Sequence, residues 1–205
     1  AAGHLGSSIS QGLAQAGATV LLNGRSKEKL EALHNKLISQ GLKTEVCCFD
    51  IENADAVKDN IIKIKENFGK IDILINNAYF GAGGSLGLSK DDFFTESYNI
   101  AVTAAARLIR EAYDLMKTAA SNNIGGSSII NISSMYGIVS PDFRLYDSPE
   151  SYNPPFYGAA KAALLQLTRY CACQFAQDKI RVNSVSPGPF PSNKVQEDDP
   201  NFCNR

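Results

Sequence analysis

Tyr157 and Lys161 stand four residues apart in "YGAAK". On a helix that spacing places a phenol and an ammonium on one face, one turn apart. A neighbouring cation stabilises phenolate, so Lys161 is expected to lower the pKa of Tyr157 toward the range of a working acid–base. A lone pair of this kind fits an ordinary amphipathic helix equally well. Three further polar residues add to it. Ser134, in "SSMYG", either offers its hydroxyl to a substrate oxygen or caps a turn. Asn99, in "NIAVTAAA", is either a satisfied buried amide or a group that holds water in a proton path. Asn77, beside Asn76 in "NNAY", is a binding residue or a turn residue. At the start, "AAGHLGSSIS" sets Gly3 and Gly6 before apolar residues at helical spacing (Ile9, Leu13, Ala16), the pattern of a phosphate-cradling loop.

These residues need elements to position them, and two periodicities alternate along the chain. Ser7 to Ala16 reads as a helix stopped by Gly17, and "ATVLLN" as a buried strand. Ser26 caps a predicted helix ended by Gly41; "KTEVCCF" follows as a strand leading to Asp50. Asn53 caps a third helix, Gly69 ends it, and "IDILI" is a strand. A long helical region is expected over about Lys90 to Ala120, with "SSIINIS" a strand, Phe156 to Gln177 a helix and "IRVNSVS" a strand. Near-continuous apolar strands separated by helices predict an α/β fold, a doubly wound parallel sheet. In such sheets ligands bind outside the carboxyl ends of the strands. Those ends are Arg25 and Ser26, Asp50 and Ile51, Asn76 to Tyr79, Ser133 to Gly137, and Pro187 to Ser192.

Taken in order, the serine motif, "YGAAK", "NNA" and "RVNSVSPG" resemble the short-chain dehydrogenase/reductase family, in its compact single-domain branch. The resemblance implies a Rossmann-like three-layer αβα arrangement in one domain over residues 1–205, incomplete at both ends. It also implies roles. Tyr157 would be the acid–base, Ser134 would polarise the substrate carbonyl, and Asn99 would hold a water relaying protons to Lys161. Lys161 would bind the nicotinamide ribose and depress the Tyr157 pKa. Gly3, His4, Leu5 and Gly6 would form the cofactor loop, Asp50 and Ile51 would contact adenine, and Pro187 and Gly188 would line the nicotinamide pocket. Arg25, Ser26, Asn77, Ala78 and Phe190 are expected at the cofactor as well. The implied activity is reversible ketone–alcohol interconversion by hydride transfer, with no metal.

Arg25 bears on the cofactor. NAD usually needs a carboxylate at the end of the second strand, whereas an arginine suits a 2′-phosphate. Here the end reads "LLNGRS", which predicts NADP, with NAD the alternative. Three departures from the family pattern stand out. His4 occupies the place of a middle glycine, and the Gly3/Gly6 spacing matches the extended branch of epimerases and dehydratases. Tyr79 replaces a glycine. A longer segment, "IVSPDFRLYDSPESYNPP", separates Ser134 from Tyr157. That polar, aromatic segment predicts a sugar, a sugar acid or a similar polar substrate. The alternatives are an extended-branch nucleotide-sugar enzyme and a non-catalytic cofactor-binding regulator.

Composition limits the remaining classes. Twenty basic and twenty-one acidic residues give a net charge of -1, with no basic excess for nucleic acid or a membrane surface. The five cysteines, Cys47, Cys48, Cys171, Cys173 and Cys203, show neither metal spacing nor a paired framework. The expectation is a cytoplasmic enzyme with a small-molecule carbonyl or alcohol substrate, forming a homodimer or homotetramer. The family's first strand should precede Ala1, and its closing elements should follow Arg205.

Overall fold

The structure, a computed structural model, describes residues 1–191 and 196–197. Ser192 and Cys203 lie outside the described residues. Two compact units divide the chain, residues 1–68 and residues 69–205.

The first unit carries helices α1 (His4–Gln15), α2 (Lys27–Ile38) and α3 (Ala54–Phe68) with strands β1 (Val20–Gly24) and β2 (Thr44–Cys48). The strands pair in parallel, Val20 opposite Thr44 and Gly24 opposite Cys48. Helix starts follow the cap residues. The Ser26 hydroxyl accepts from the Lys29 N–H, and Asn53 Oδ1 accepts from the Ala56 N–H. Leu22, Leu30, Leu37 and Val57 are fully buried, and truncating one of the leucines to alanine costs about 2–5 kcal/mol. Beyond the ladder, the Asn23 amide donates to the carbonyls of Cys47 (3.0 Å) and Phe49 (3.1 Å). It thereby fixes the carboxyl ends of β1 and β2 side by side.

In the second unit, β3 (Ile73–Asn76), β4 (Ser127–Ile132) and β5 (Ile180–Val185) form a parallel sheet in that order. Asn76 lies opposite Asn131, and the sheet's apolar interior makes an unpaired amide there expensive. A chain of hydrogen bonds answers most of that cost. Asn76 Nδ2 donates to Asn131 Oδ1 (2.8 Å), Asn131 Nδ2 to Thr168 Oγ1 (2.9 Å), and Thr168 Oγ1 to the Leu164 carbonyl (2.8 Å). Thr168 belongs to α6 (Pro155–Phe175), so the chain ties that helix to the sheet.

The single long helix expected before β4 is interrupted. Helix α4 (Asp91–Tyr98) runs into a wide π turn over Asn99–Thr103, and α5 (Ala104–Asn122) follows. Periodicity reads straight through such a turn, because one extra residue leaves the apolar stripe nearly continuous. Ala101, Val102 and Ala105 pack against Ala160 and Leu164 of α6, and the small side chains bring the two helices close. At the start of α6, Phe156 is enclosed by Phe80, Phe93 and Phe94, with ring centroids 5.5–5.8 Å away. This aromatic packing anchors the turn that bears Tyr157.

Candidate active site

Strand β4 ends at Ile132, and the backbone stays extended through Ser134 before a single 3-10 turn at Met135–Gly137. The Tyr136 N–H donates to Ser134 Oγ at 3.2 Å. That contact uses a lone pair of the hydroxyl and leaves its proton available to another acceptor. Two close approaches lock this turn onto α6. A Cβ on Gly137 would lie 2.9 Å from the Lys161 carbonyl carbon, and one on Gly158 would lie 2.8 Å from the Tyr136 carbonyl oxygen. Only glycine fits at either position without moving backbone. The Met135 N–H also donates to the Pro187 carbonyl (3.1 Å), which secures the segment after β5 to the same turn.

Tyr157 and Ser134 therefore come together. The half-buried Tyr157 phenol is pushed up from its ordinary pKa, chiefly by burial. A hydrogen bond with Ser134 acts in the opposite direction, while the phenols of Tyr79 and Tyr136 add to the rise. The Tyr79 ring meets the Tyr157 ring edge-on with centroids 6.1 Å apart.

Lys161 is 2 % exposed, and burial pushes its ammonium down to about 8. Nζ sits 5.6 Å from the Tyr157 ring centroid and donates to the Ile132 carbonyl at 2.7 Å. The pair does share a face one turn apart, as the spacing predicts. The expected depression of the Tyr157 pKa is not found in this arrangement. The ammonium is directed at a main-chain carbonyl, and desolvation is the largest influence on the phenol. An ammonium has three donors, so two remain for hydroxyl groups beside the phenol. Ser133, which precedes Ser134, donates its hydroxyl to the Lys161 carbonyl at 3.0 Å and holds the helix turn from the other side.

Asn99 opens the π turn, and its carbonyl accepts from the Ala104 N–H. Its side chain is exposed and accepts a long contact from Thr103 Oγ1 (3.4 Å), so the reading as a satisfied buried amide does not hold. Asn77 is half-buried and Ala78 exposed at the end of β3. Pro187 is half-buried, Gly188 is open to solvent and Phe190 is 63 % exposed.

In the first unit, Gly3 is the residue before α1, with no side-chain cap and no acidic residue in the first turn. A Cβ on Gly3 would meet nothing within 4 Å, so its surroundings are open. His4 is exposed, Leu5 half-buried and Gly6 buried. Arg25 is exposed at the end of β1, directly before the Ser26 cap. Asp50 and Ile51 are half-buried after β2, with Asp50 Oδ1 accepting from the Glu52 N–H at 3.0 Å. An uncapped helix start and a cation at a strand end suit the phosphates of a dinucleotide. In the second unit, a buried ammonium with donors to spare suits a ribose.

Sequence reasoning missed the glycine contact at Gly158, the hydroxyl of Ser133 and the pairing of Tyr136 with Tyr146. The first had a signal: glycine in the first turns of a helix is unfavourable and calls for a packing reason. The other two depend on which loop returns to which helix, and local sequence does not carry that.

Parallel strands with crossover helices and a site at their carboxyl ends define a Rossmann-like α/β protein. The Pseudomonas aeruginosa RhlG/NADP active-site complex superposes with a TM-score of 0.84 at 27% identity, over 98% of this chain and 75% of that one. A short chain dehydrogenase family model matches residues 1–201. Gluconate 5-dehydrogenase of Gluconobacter oxydans is 30% identical over 190 residues, 91% of this chain and 67% of its own length. The 7alpha-hydroxysteroid dehydrogenase of Bacteroides fragilis is 28% identical over 196 residues, 92% of this chain and 68% of its own. The chain belongs to the short-chain dehydrogenase family of oxidoreductases. Among the described residues no helix is long and apolar enough to cross a membrane.

Proposed function

We propose that the protein interconverts a ketone and a secondary alcohol on a polar, hydroxyl-bearing substrate, using NADP(H). The observation that carries the reading is the convergence of Ser134 and Tyr157 beside a buried Lys161. In the reducing direction the Ser134 hydroxyl turns its proton from the Tyr157 phenol to the substrate carbonyl oxygen and polarises it. Tyr157, whose raised pKa keeps it protonated at neutral pH, delivers a proton to that oxygen as the carbon is reduced. The nicotinamide, when bound, supplies the hydride or accepts it in the reverse direction. Lys161 holds ribose hydroxyls with its remaining donors and favours the phenolate as it forms. Asn99, at the π turn, holds water that returns a proton toward Lys161. Asn77, Ala78, Pro187, Gly188 and Phe190 border the nicotinamide.

In the first unit Gly3, His4, Leu5 and Gly6 hold the pyrophosphate at the start of α1. Asp50 and Ile51 hold adenine, and Arg25 with Ser26 takes the 2′-phosphate. RhlG was solved with NADP, which supports the same choice. For the substrate, the phenols around Tyr157 and the gluconate 5-dehydrogenase relative favour a sugar or sugar acid over a steroid. Self-association into a dimer or tetramer and a cytoplasmic location belong to the same reading.

The test is NADPH consumption across a panel of keto-sugars, keto-sugar acids and ketosteroids. Turnover of the polar ketones is expected. Faster turnover of the ketosteroids overturns the substrate assignment, and no turnover of any ketone overturns the activity.

A further inference from the structure

The segment between Ser134 and Tyr157 is folded back as a wall. Gly84 and Ser85 donate their N–H groups to the carbonyls of Tyr152 (3.1 Å) and Pro149 (2.8 Å), so the glycine-rich loop after β3 holds it in place. Phe143 packs at a tilt against Tyr152 with ring centroids 4.6 Å apart, and Tyr146 meets it edge-on at 5.6 Å. Within this wall the Tyr146 hydroxyl lies 2.9 Å from the Tyr136 hydroxyl. Its oxygen also accepts from the backbone N–H of Asn153.

Two phenols carry two O–H donors, yet a single contact joins them, so one proton is left over. Burial raises the pKa of the Tyr146 phenol, and its oxygen already accepts from Asn153. Retaining an unpaired donor there is the costlier arrangement. Tyr146 therefore donates to Tyr136, and the spare proton belongs to Tyr136. Asn153 Oδ1, also in the wall, is buried without a hydrogen-bond partner. The Tyr136 backbone abuts Gly158, and its phenol acts electrostatically on Tyr157. The unspent donor thus belongs to the turn that packs against the first turns of the helix bearing Tyr157.

We propose that Tyr136, oriented by Tyr146, is a specificity-determining residue that donates a hydrogen bond to a second oxygen of the substrate, so that the site prefers hydroxyketones over plain ketones. This rests on the ketone-reductase reading above and names what selects the substrate. A site built to hydrogen-bond a hydroxyl discriminates strongly against an analogue lacking it, because its own donor is then left unpaired.

Hydroxyacetone and 2-butanone, nearly equal in shape, form the test pair, with kcat/KM measured on the wild type, Tyr136→Phe and Tyr146→Phe. The wild type should prefer hydroxyacetone, and Tyr136→Phe should reduce that preference by about tenfold, the value of one hydrogen bond. Tyr146→Phe, which frees the orientation of Tyr136, should reduce it by a smaller factor. An equal loss on both ketones in Tyr136→Phe, or no loss, overturns the proposal. If the wild type reduces neither ketone, the reductase reading is decided on the keto-sugar panel, and the donor is read from ligand-induced thermal stabilisation. Stabilisation by hydroxyacetone that disappears in Tyr136→Phe supports the donor; equal stabilisation of both proteins overturns it.

Discussion

Gly158 has no room for a methyl group: a Cβ there would stand 2.8 Å from the Tyr136 carbonyl oxygen. The turn carrying Ser134 and the helix carrying Tyr157 are set by this approach. Gly158→Ala must push α6 away from the turn, since the obstacle is backbone and cannot rotate aside. The expected cost is about 1–3 kcal/mol of stability, as for overpacked sites. kcat should fall more than tenfold as Ser134 and Tyr157 separate. Thermal melts with steady-state kinetics check both, and unchanged values would show that the contact relaxes freely.

Lys161 sets a pH dependence of stability. Its pKa is lowered from 10.5 to about 8, so between those values the unfolded chain binds more protons than the folded one. Stability contributed by this residue therefore rises as pH increases from about 8 toward 10.5, by on the order of 3 kcal/mol. Below pH 8 both states are protonated and the burial penalty is constant. Denaturant unfolding of the wild type and Lys161→Met across this range isolates the effect. The variant should lack the alkaline gain relative to the wild type; identical pH profiles would contradict the assignment.

Arg25 should discriminate between cofactors. Arg25→Ala is expected to raise the KM for NADPH tenfold or more while moving the KM for NADH little, since a 2′-phosphate loses a charged partner. Equal effects on both cofactors would remove the NADP assignment.

Much of this was legible in the sequence because local chemistry decided it. Ser26 and Asn53 do cap their helices, and the apolar runs do form parallel strands. The four-residue spacing does bring Lys161 beneath Tyr157. The π turn at Asn99 stayed hidden, since its extra residue barely disturbs the apolar stripe. The direction of the Lys161 ammonium was equally hidden. It depends on the Ile132 carbonyl at the end of β4, twenty-nine residues away in the chain. The sign of the Tyr157 shift follows burial, and burial is a property of the assembled site.

Tyr157→Phe tests the central claim most directly, because it removes one oxygen and its proton while keeping the ring against Tyr79. NADPH-dependent ketone reduction and NADPH binding, followed by fluorescence, should be measured on the same preparations. The expected result is turnover reduced by at least about a thousandfold, reflecting the combined loss of proton transfer and oxygen stabilisation, with cofactor affinity retained. Turnover within tenfold of the wild type would contradict the role of Tyr157 as the proton donor.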